Sequence, residues 1–326
     1  MLHLKLLDET TCNDYVARIL PDLIKRILHG QKHKGTIYKL SSKAKDILLP
    51  KWNTKKPDGS ILKQLLTSPP EILYSLNQNL EKRLFALPKR SKPTKKALEN
   101  IFHYDGVFVT DKPTGYWFAK LIGRNTCTYC NRQYVFTIES RNDNGDIRYI
   151  ARPVFDHWFA KSDYPLLSLS IYNLIPSCTI CNSSVKGSTP MMLETHVHPY
   201  VPETEYNSFS FRVTKKVSET SEWSLIIERT PDSKIDKTIK DLALEEVYAL
   251  HSELEVKDIM DFNEAYEPGY INTIIETMFA NNMRGLTKKD VYRILFGVEF
   301  DSEKFLDRPF SKLKRDILEQ IGVSID

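Results

Sequence analysis

Two cysteine pairs constrain this chain more than any other feature. "CTYC" occupies residues 127–130 and "CTIC" residues 178–181, with 47 residues between Cys130 and Cys178. The two-residue gap in each pair lets both sulfurs reach one ion from a tight knuckle, and four thiolates surround Zn²⁺ tetrahedrally. The spacing therefore predicts a four-cysteine zinc site made by Cys127, Cys130, Cys178 and Cys181. Forty-seven residues are more than a compact zinc ribbon needs, so a small subdomain must fold between the knuckles. CxxC also serves thiol redox chemistry, but redox motifs come singly, at a helix start within a βαβ pattern, and no such pattern stands here. Cys12 has no partner pattern and reads as a free buried thiol.

The chain has 326 residues, 41% of them hydrophobic and 27% charged, the profile of an ordinary globular protein of about two to three domains. No apolar run approaches the roughly 18–20 residues of a membrane span. The start "MLHLKLLDETTCNDY" brings acids at residues 8 and 9 and offers no small-residue cleavage site. No signal peptide is expected, so a cytoplasmic location is the expectation, with no membrane partner. Charge is unevenly spread. Residues 1–100 hold 20 Lys and Arg against 9 Asp and Glu, and residues 201–326 hold 17 against 25. A basic front end can attract a polyanion such as DNA or RNA, or it can be a solvated lysine-rich surface.

Composition and pattern divide the chain into a basic, mainly helical region at 1–115, a core at 116–202 and a hairpin with acidic helices at 203–326. In the first, "TCNDYVARILPDLIKRILHG" has helical spacing, with Pro21 expected to kink or split it. "SPPEILYSLNQNLEKRLFAL" predicts a helix capped by Ser68, with Ile72, Leu73, Leu76, Leu80 and Leu84 as its buried stripe. Thr94 should cap another helix after a basic linker. In the core, "RQYVFTIE" and "IRYIARPVF" predict antiparallel strands joined at Asn144-Gly145. The last region predicts a hairpin from "FSFRVTKKV" and "EWSLIIERT". Helices should follow over 237–262 and 271–281, then two more capped by Thr287 and Ser311, with Gly322 ending the last.

The residues between the knuckles carry the chemistry. Asp156 and His157 end a predicted strand. Asn173 follows just before "LIP", and Asn182 lies inside the second knuckle where a helix should begin. Lys186 sits one helical turn later. In this order, behind an upstream CxxC, "DH…N…CxxCN…K" resembles the HNH endonucleases, the ββα-metal nucleases, in their zinc-stapled form. The resemblance covers about residues 125–187.

The resemblance implies an α+β fold: a zinc-stapled ββα-metal core flanked by mainly helical regions. It also implies a role for each matching residue. His157 becomes the general base, since an imidazole near its ordinary pKa of about 6.5 can take a proton from water at neutral pH. Asp156 and Asn182 become oxygen ligands of one Mg- or Mn-like ion. Asn173 orients the histidine through backbone contacts. Lys186 can hold a phosphate or be a solvated helix lysine. His196 and His198, in "HVHPY", can reach a phosphate or the metal, or be structural; His198 is taken as the substrate-binding candidate. Tyr129 and Arg132 can contact nucleic acid or pack on the knuckle.

Two function classes follow. One is a metal-dependent endonuclease acting on DNA, with sequence choice supplied from outside the site. The other is a non-catalytic, zinc-stabilised nucleic-acid-binding or docking module. The fuller string "CxYCN…DHW/F…NL.PSC..CN..K…HPY" is similar to HNH proteins of antiphage systems such as Septu, which work with a partner ATPase. A restriction enzyme or a mobile-element nuclease is the alternative setting. The chain contains no GxxxxGK[ST], so ATP dependence would come from that partner.

Overall fold

The computed structural model describes residues 2–201, 208–215, 223–281 and 284–325. Its first helix, α1 (Glu9–His29), is capped by Asp8, whose carboxylate accepts from Thr11 N at 2.8 Å. Tyr15, Val16, Ile19, Leu23 and Ile27 bury one face. Pro21 does not split it, and lies on the exposed side. α1 ends at Gly30, whose φ of 85° and the Tyr38 carbonyl only 2.6 Å from a notional Cβ leave room for no other residue. A short hairpin follows, β1 (Gln31–His33) with β2 (Thr36–Tyr38), then α2 (Ser42–Leu48), α3 (Ser60–Thr67) and α4 (Pro70–Phe85). Pro69 occupies the α4 cap position and Ser68 makes no capping bond. Leu73, Leu80 and Leu84 are buried as expected, whereas Ile72 is 60% exposed.

Thr94 caps α5 (Lys95–Ile101), accepting from Ala97 N at 3.1 Å. A wide π turn over Asp105–Val109 then leads into α6 (Lys112–Ile122). Gly115 lets these pack closely, since a Cβ there would lie 2.2 Å from the Phe108 carbonyl.

Beyond the first knuckle, β3 (Ile138–Arg141) pairs with β4 (Ile147–Ala151) around Asn144-Gly145. The two runs were expected to pair along their length; they do so only in part. Residues 126 and 134 bridge across the knuckle instead, and the chain turns away after Arg152-Pro153. β5 (Val154–His157) then pairs with β6 (Leu174–Ser177), which is the "LIPS" run. Proline has no amide to donate, so Arg152-Pro153 is a natural place for the ladder to end.

The expected hairpin after the core is β7 (Phe209–Lys215) with β8 (Trp223–Arg229). Its expected ends at Lys216, Val217 and Glu222, like the boundary at residue 203, lie outside the described residues. The single helix expected over 237–262 is instead α7 (Lys234–Asp241), α8 (Leu244–Ala249) and α9 (Glu255–Ala265). Ala243 at φ 44° separates the first two, and Leu254 at ψ −88° precedes the third. These bends turn Ile239, Tyr248 and Ile259 inward in succession, so packing overrides a helical period that no Gly or Pro interrupts. α10 (Tyr270–Ala280) follows, then α11 (Lys288–Phe296), which has the Thr287–Asp290 capping box. α12 (Ser311–Gln320) closes the fold. Ser311 does not cap α12; its hydroxyl donates to Arg308 O and accepts from Glu299 N. The fold is thus mixed helix and small antiparallel sheets, an α+β arrangement with one continuous apolar cluster running through all three regions. No helix among the described residues is long and apolar enough to cross a membrane.

Candidate active site

The four expected cysteines meet. The sulfurs of Cys127, Cys130, Cys178 and Cys181 lie within 4.8 Å of one another, all buried and none in a disulfide. A zinc ion with bonds of about 2.3 Å separates tetrahedral sulfurs by roughly 3.8 Å, so this donor set can hold one. Burial pushes the Cys127 thiol up, while its hydrogen bond to Cys127 holds the Cys130 thiol down. Crowded buried thiols ionise together only when a cation compensates them.

Each knuckle is built by its backbone. In the first, Asn131 takes a left-handed φ of 47° and its amide returns to Cys127 O at 2.8 Å. Its side-chain amide donates to Thr126 Oγ1, Phe305 O and Arg308 O. Asn tolerates this backbone region better than most residues, which is why it suits the position. Tyr248 donates a short bond to Cys130 O. In the second knuckle, Asn182 N reaches Cys178 O at 3.0 Å and Cys181 N reaches Cys178 Sγ at 3.4 Å. The knuckles are joined by Thr128 N, which donates to Pro176 O of β6.

The helix expected to begin at Asn182 is a single π turn over Cys181–Val185. Lys186 N bonds Cys181 O at 2.9 Å, one residue further back than an α-helix allows, and Gly187 at φ 49° follows. The turn aims Lys186 inward rather than into solvent: it is only 3% exposed. Its ammonium lies 3.2 Å from Asp156 Oδ2 and donates to His157 O at 3.0 Å. Tyr129 is buried in full and also donates to Asp156 Oδ2, at 2.6 Å. Burial pushes the Asp156 carboxyl up; Lys186 and Tyr129 oppose that.

His157 Nε2 stands 3.0 Å from Ser168 O. A carbonyl only accepts, so Nε2 carries the hydrogen and the lone pair lies on Nδ1. The Tyr104 ring meets this imidazole edge-on at 4.7 Å. Burial lowers the His157 pKa to about 4, with Lys161 and Lys186 acting in the same sense. The ring is therefore neutral at pH 7, but its pKa is not near the ordinary value of about 6.5 expected from the sequence, because burial disfavours the charged form. Asn173 lies behind it, fully buried: Oδ1 accepts from Phe159 N at 2.7 Å, and Nδ2 donates to Phe159 O and Leu167 O. Its own carbonyl accepts from Trp158 N at 3.1 Å. These bonds close the 158–173 loop directly after β5 and so set the backbone that carries His157.

Asp156, His157, Asn182 and Lys186 all line one open cleft of about 600 Å³. Tyr104, Arg152 and Lys161 share it. Tyr104 and Arg152 carried no signal in the sequence, since neither has a motif spacing to the knuckles. Arg152 is fixed by bonds to Pro153 O and Phe108 O, both 2.8 Å.

His198 is not among the residues lining this cleft. It is fully buried beside Trp158, with ring centroids 4.4 Å apart, and Nδ1 accepts from Tyr200 N. Burial lowers its pKa to about 3. His196 bonds Asp241 at 2.8 Å and ties the segment to α7. Arg132 approaches His251 rather than standing clear of the knuckle. Cys12 is half-buried, 3.5 Å from the Tyr172 hydroxyl.

The two buried rings have a consequence for pH. Both bind protons near pH 6.5 when the chain is unfolded, but only near 4 and 3 when folded. Between those limits the unfolded state holds more protons, so stability is full above about pH 6.5 and falls as pH drops towards 4 and 3. The pair should remove roughly 2–3 kcal/mol between pH 7.5 and 5.5. Urea midpoints at those pH values check this; an unmoved midpoint would mean the rings charge in place.

Searches of family models, curated proteins and solved structures return no match to this chain.

Proposed function

We propose that this chain is a metal-dependent HNH-type endonuclease that hydrolyses phosphodiester bonds in DNA, with a structural zinc ion in the four-cysteine cage. One observation carries the reading: Asp156, His157, Asn182 and Lys186 open on a single cleft beside that cage. His157 takes the proton of the attacking water at Nδ1, the ring nitrogen left free by the Ser168 bond. Asn173 positions it from behind. Asp156 and Asn182 supply the hard oxygens suited to Mg²⁺ or Mn²⁺, and the Tyr129 and Lys186 contacts to Asp156 both fall on Oδ2. Asp156 and Asn182 would hold such an ion, which when bound would supply Lewis-acid polarisation of a phosphate. Lys186 adds positive charge at the same wall.

The wider setting we propose, on the resemblance to antiphage HNH proteins, is a cytoplasmic antiphage effector that works with a partner ATPase; any ATP dependence would come from that partner, since the sequence has no GxxxxGK[ST] loop. A second reading, a non-catalytic zinc-stabilised binding or docking module, is favoured by one observation. Asp156 and Lys186 already form a buried ion pair, as a purely structural pair would.

Nicking of supercoiled plasmid separates the two. The purified chain, alone or with its genomic partner, should convert supercoiled to open-circular DNA with Mg²⁺ or Mn²⁺ and stop with EDTA. DNA binding without any cutting under either condition would favour the docking module.

A further inference from the structure

Residues 31–45 contain five lysines and no acid; residues 86–98 contain four lysines, one arginine and no acid. Nine of these ten cations are exposed. The segments are about fifty residues apart in sequence, yet the fold lays them side by side. Ser41 Oγ donates to Ser91 O at 2.6 Å, the Lys96 ammonium stands 6.0 Å over the Tyr38 ring, and α5 packs on both β1 and β2. Among the described residues only Lys95 of this set has an ion pair, with Asp163 at 3.5 Å. Lys92 and Lys45 lean on the rings of Phe85 and Trp52. The Lys45 ammonium is held below its ordinary value, first by burial and second by the charge of Lys39.

A solvated lysine surface normally intersperses acids that pair at helical or cross-strand spacing. Neither segment contains an acid, and among the described residues Asp163 alone forms an ion pair with their ten cations, so most of their charge is uncompensated and its self-repulsion is a cost that a polyanion relieves. It also leads to the cleft. The His33 ring meets His103 at 5.3 Å, and the neighbouring Tyr104 meets His157 at 4.7 Å. Lys95 reaches the turn that carries the cleft residue Lys161.

We infer that the surface formed by residues 31–45 and 86–98 is a phosphate-binding track that holds the DNA backbone and delivers it to the cleft. The inference takes its substrate from the proposed nuclease function, but its test is binding. Each lysine on a phosphate releases condensed counterions, so affinity falls with salt at a slope of about 0.9 per contact, without regard to sequence.

The test uses full-length protein carrying His157→Ala, so that nothing is cut, and a fluorescent 30-base-pair duplex read by anisotropy. Lys32→Gln, Lys34→Gln and Lys92→Gln together should weaken binding by at least about tenfold at 0.1 M salt and flatten the salt slope by up to about 2.7. Lys234→Gln, Lys237→Gln and Lys304→Gln together remove the same charge from the acidic region and should change neither. With His157 intact, the first triple should slow nicking at low DNA while leaving the rate at saturating DNA unaltered. Equal effects of the two triples, or no effect of the first, overturn the inference. So does binding to phosphatidylserine vesicles with none to DNA. If wild type binds through this face but never cuts, the inference stands and the nuclease function fails.

Discussion

Cys130→Ser should cost the chain its zinc and, with it, the fold between the knuckles. The four sulfurs share one buried site, and the strands they bracket are only four or five residues each. A two-stranded ribbon of that length does not hold itself together in water. Structural zinc contributes on the order of 10 kcal/mol to folding, comparable with the whole stability of a typical domain. The expected result is loss of bound zinc by elemental analysis together with exposure of Trp158, now 1% exposed, as a red shift of its fluorescence. Chelation of wild type at raised temperature should reproduce it. Cys12→Ser, outside the cage, should leave both readouts unchanged. A Cys130→Ser protein that melts like wild type would remove the zinc cage from consideration.

His157→Ala should reduce plasmid nicking by roughly 100- to 10,000-fold, the usual contribution of a positioned general base. The ring is neutral and its tautomer is fixed by Ser168 O, so on the proposed function it would accept a proton at physiological pH without first losing one. Truncation also leaves that carbonyl without its donor, at about 1–3 kcal/mol. The variant must therefore be shown to keep its zinc and its DNA affinity, which sit on other residues. Loss of cutting with both retained assigns the ring to chemistry. Undiminished cutting would leave Asp156, His157 and Asn173 as a structural core alone.

What could be read from the sequence follows the range of the forces involved. The four cysteines were legible because one donor set imposes one spacing, and the Thr94 and Thr287 caps because a cap acts within three residues. The Asn144-Gly145 turn was legible for the same local reason. Where tertiary contacts decide, the sequence misled. Ile72 keeps the helical period yet faces solvent, and the 237–262 run keeps it yet breaks at Ala243 and Leu254. His198 stands in the right neighbourhood of the sequence but packs under Trp158. Lys186 reads as a helix lysine because a π turn, one residue wider, leaves no mark in composition. Tyr104 and Arg152 reach the cleft from other elements, and nothing short of the fold announces them.

The first cysteine knuckle is a crossroads. Leu2 donates to Thr128 O, Phe310 donates to Asn131 O, and the Asn131 amide clasps Phe305 and Arg308. The backbone that carries Cys127 and Cys130 and the 305–310 segment are therefore held to one another by direct hydrogen bonds, so the cage and the last helical region share one anchor.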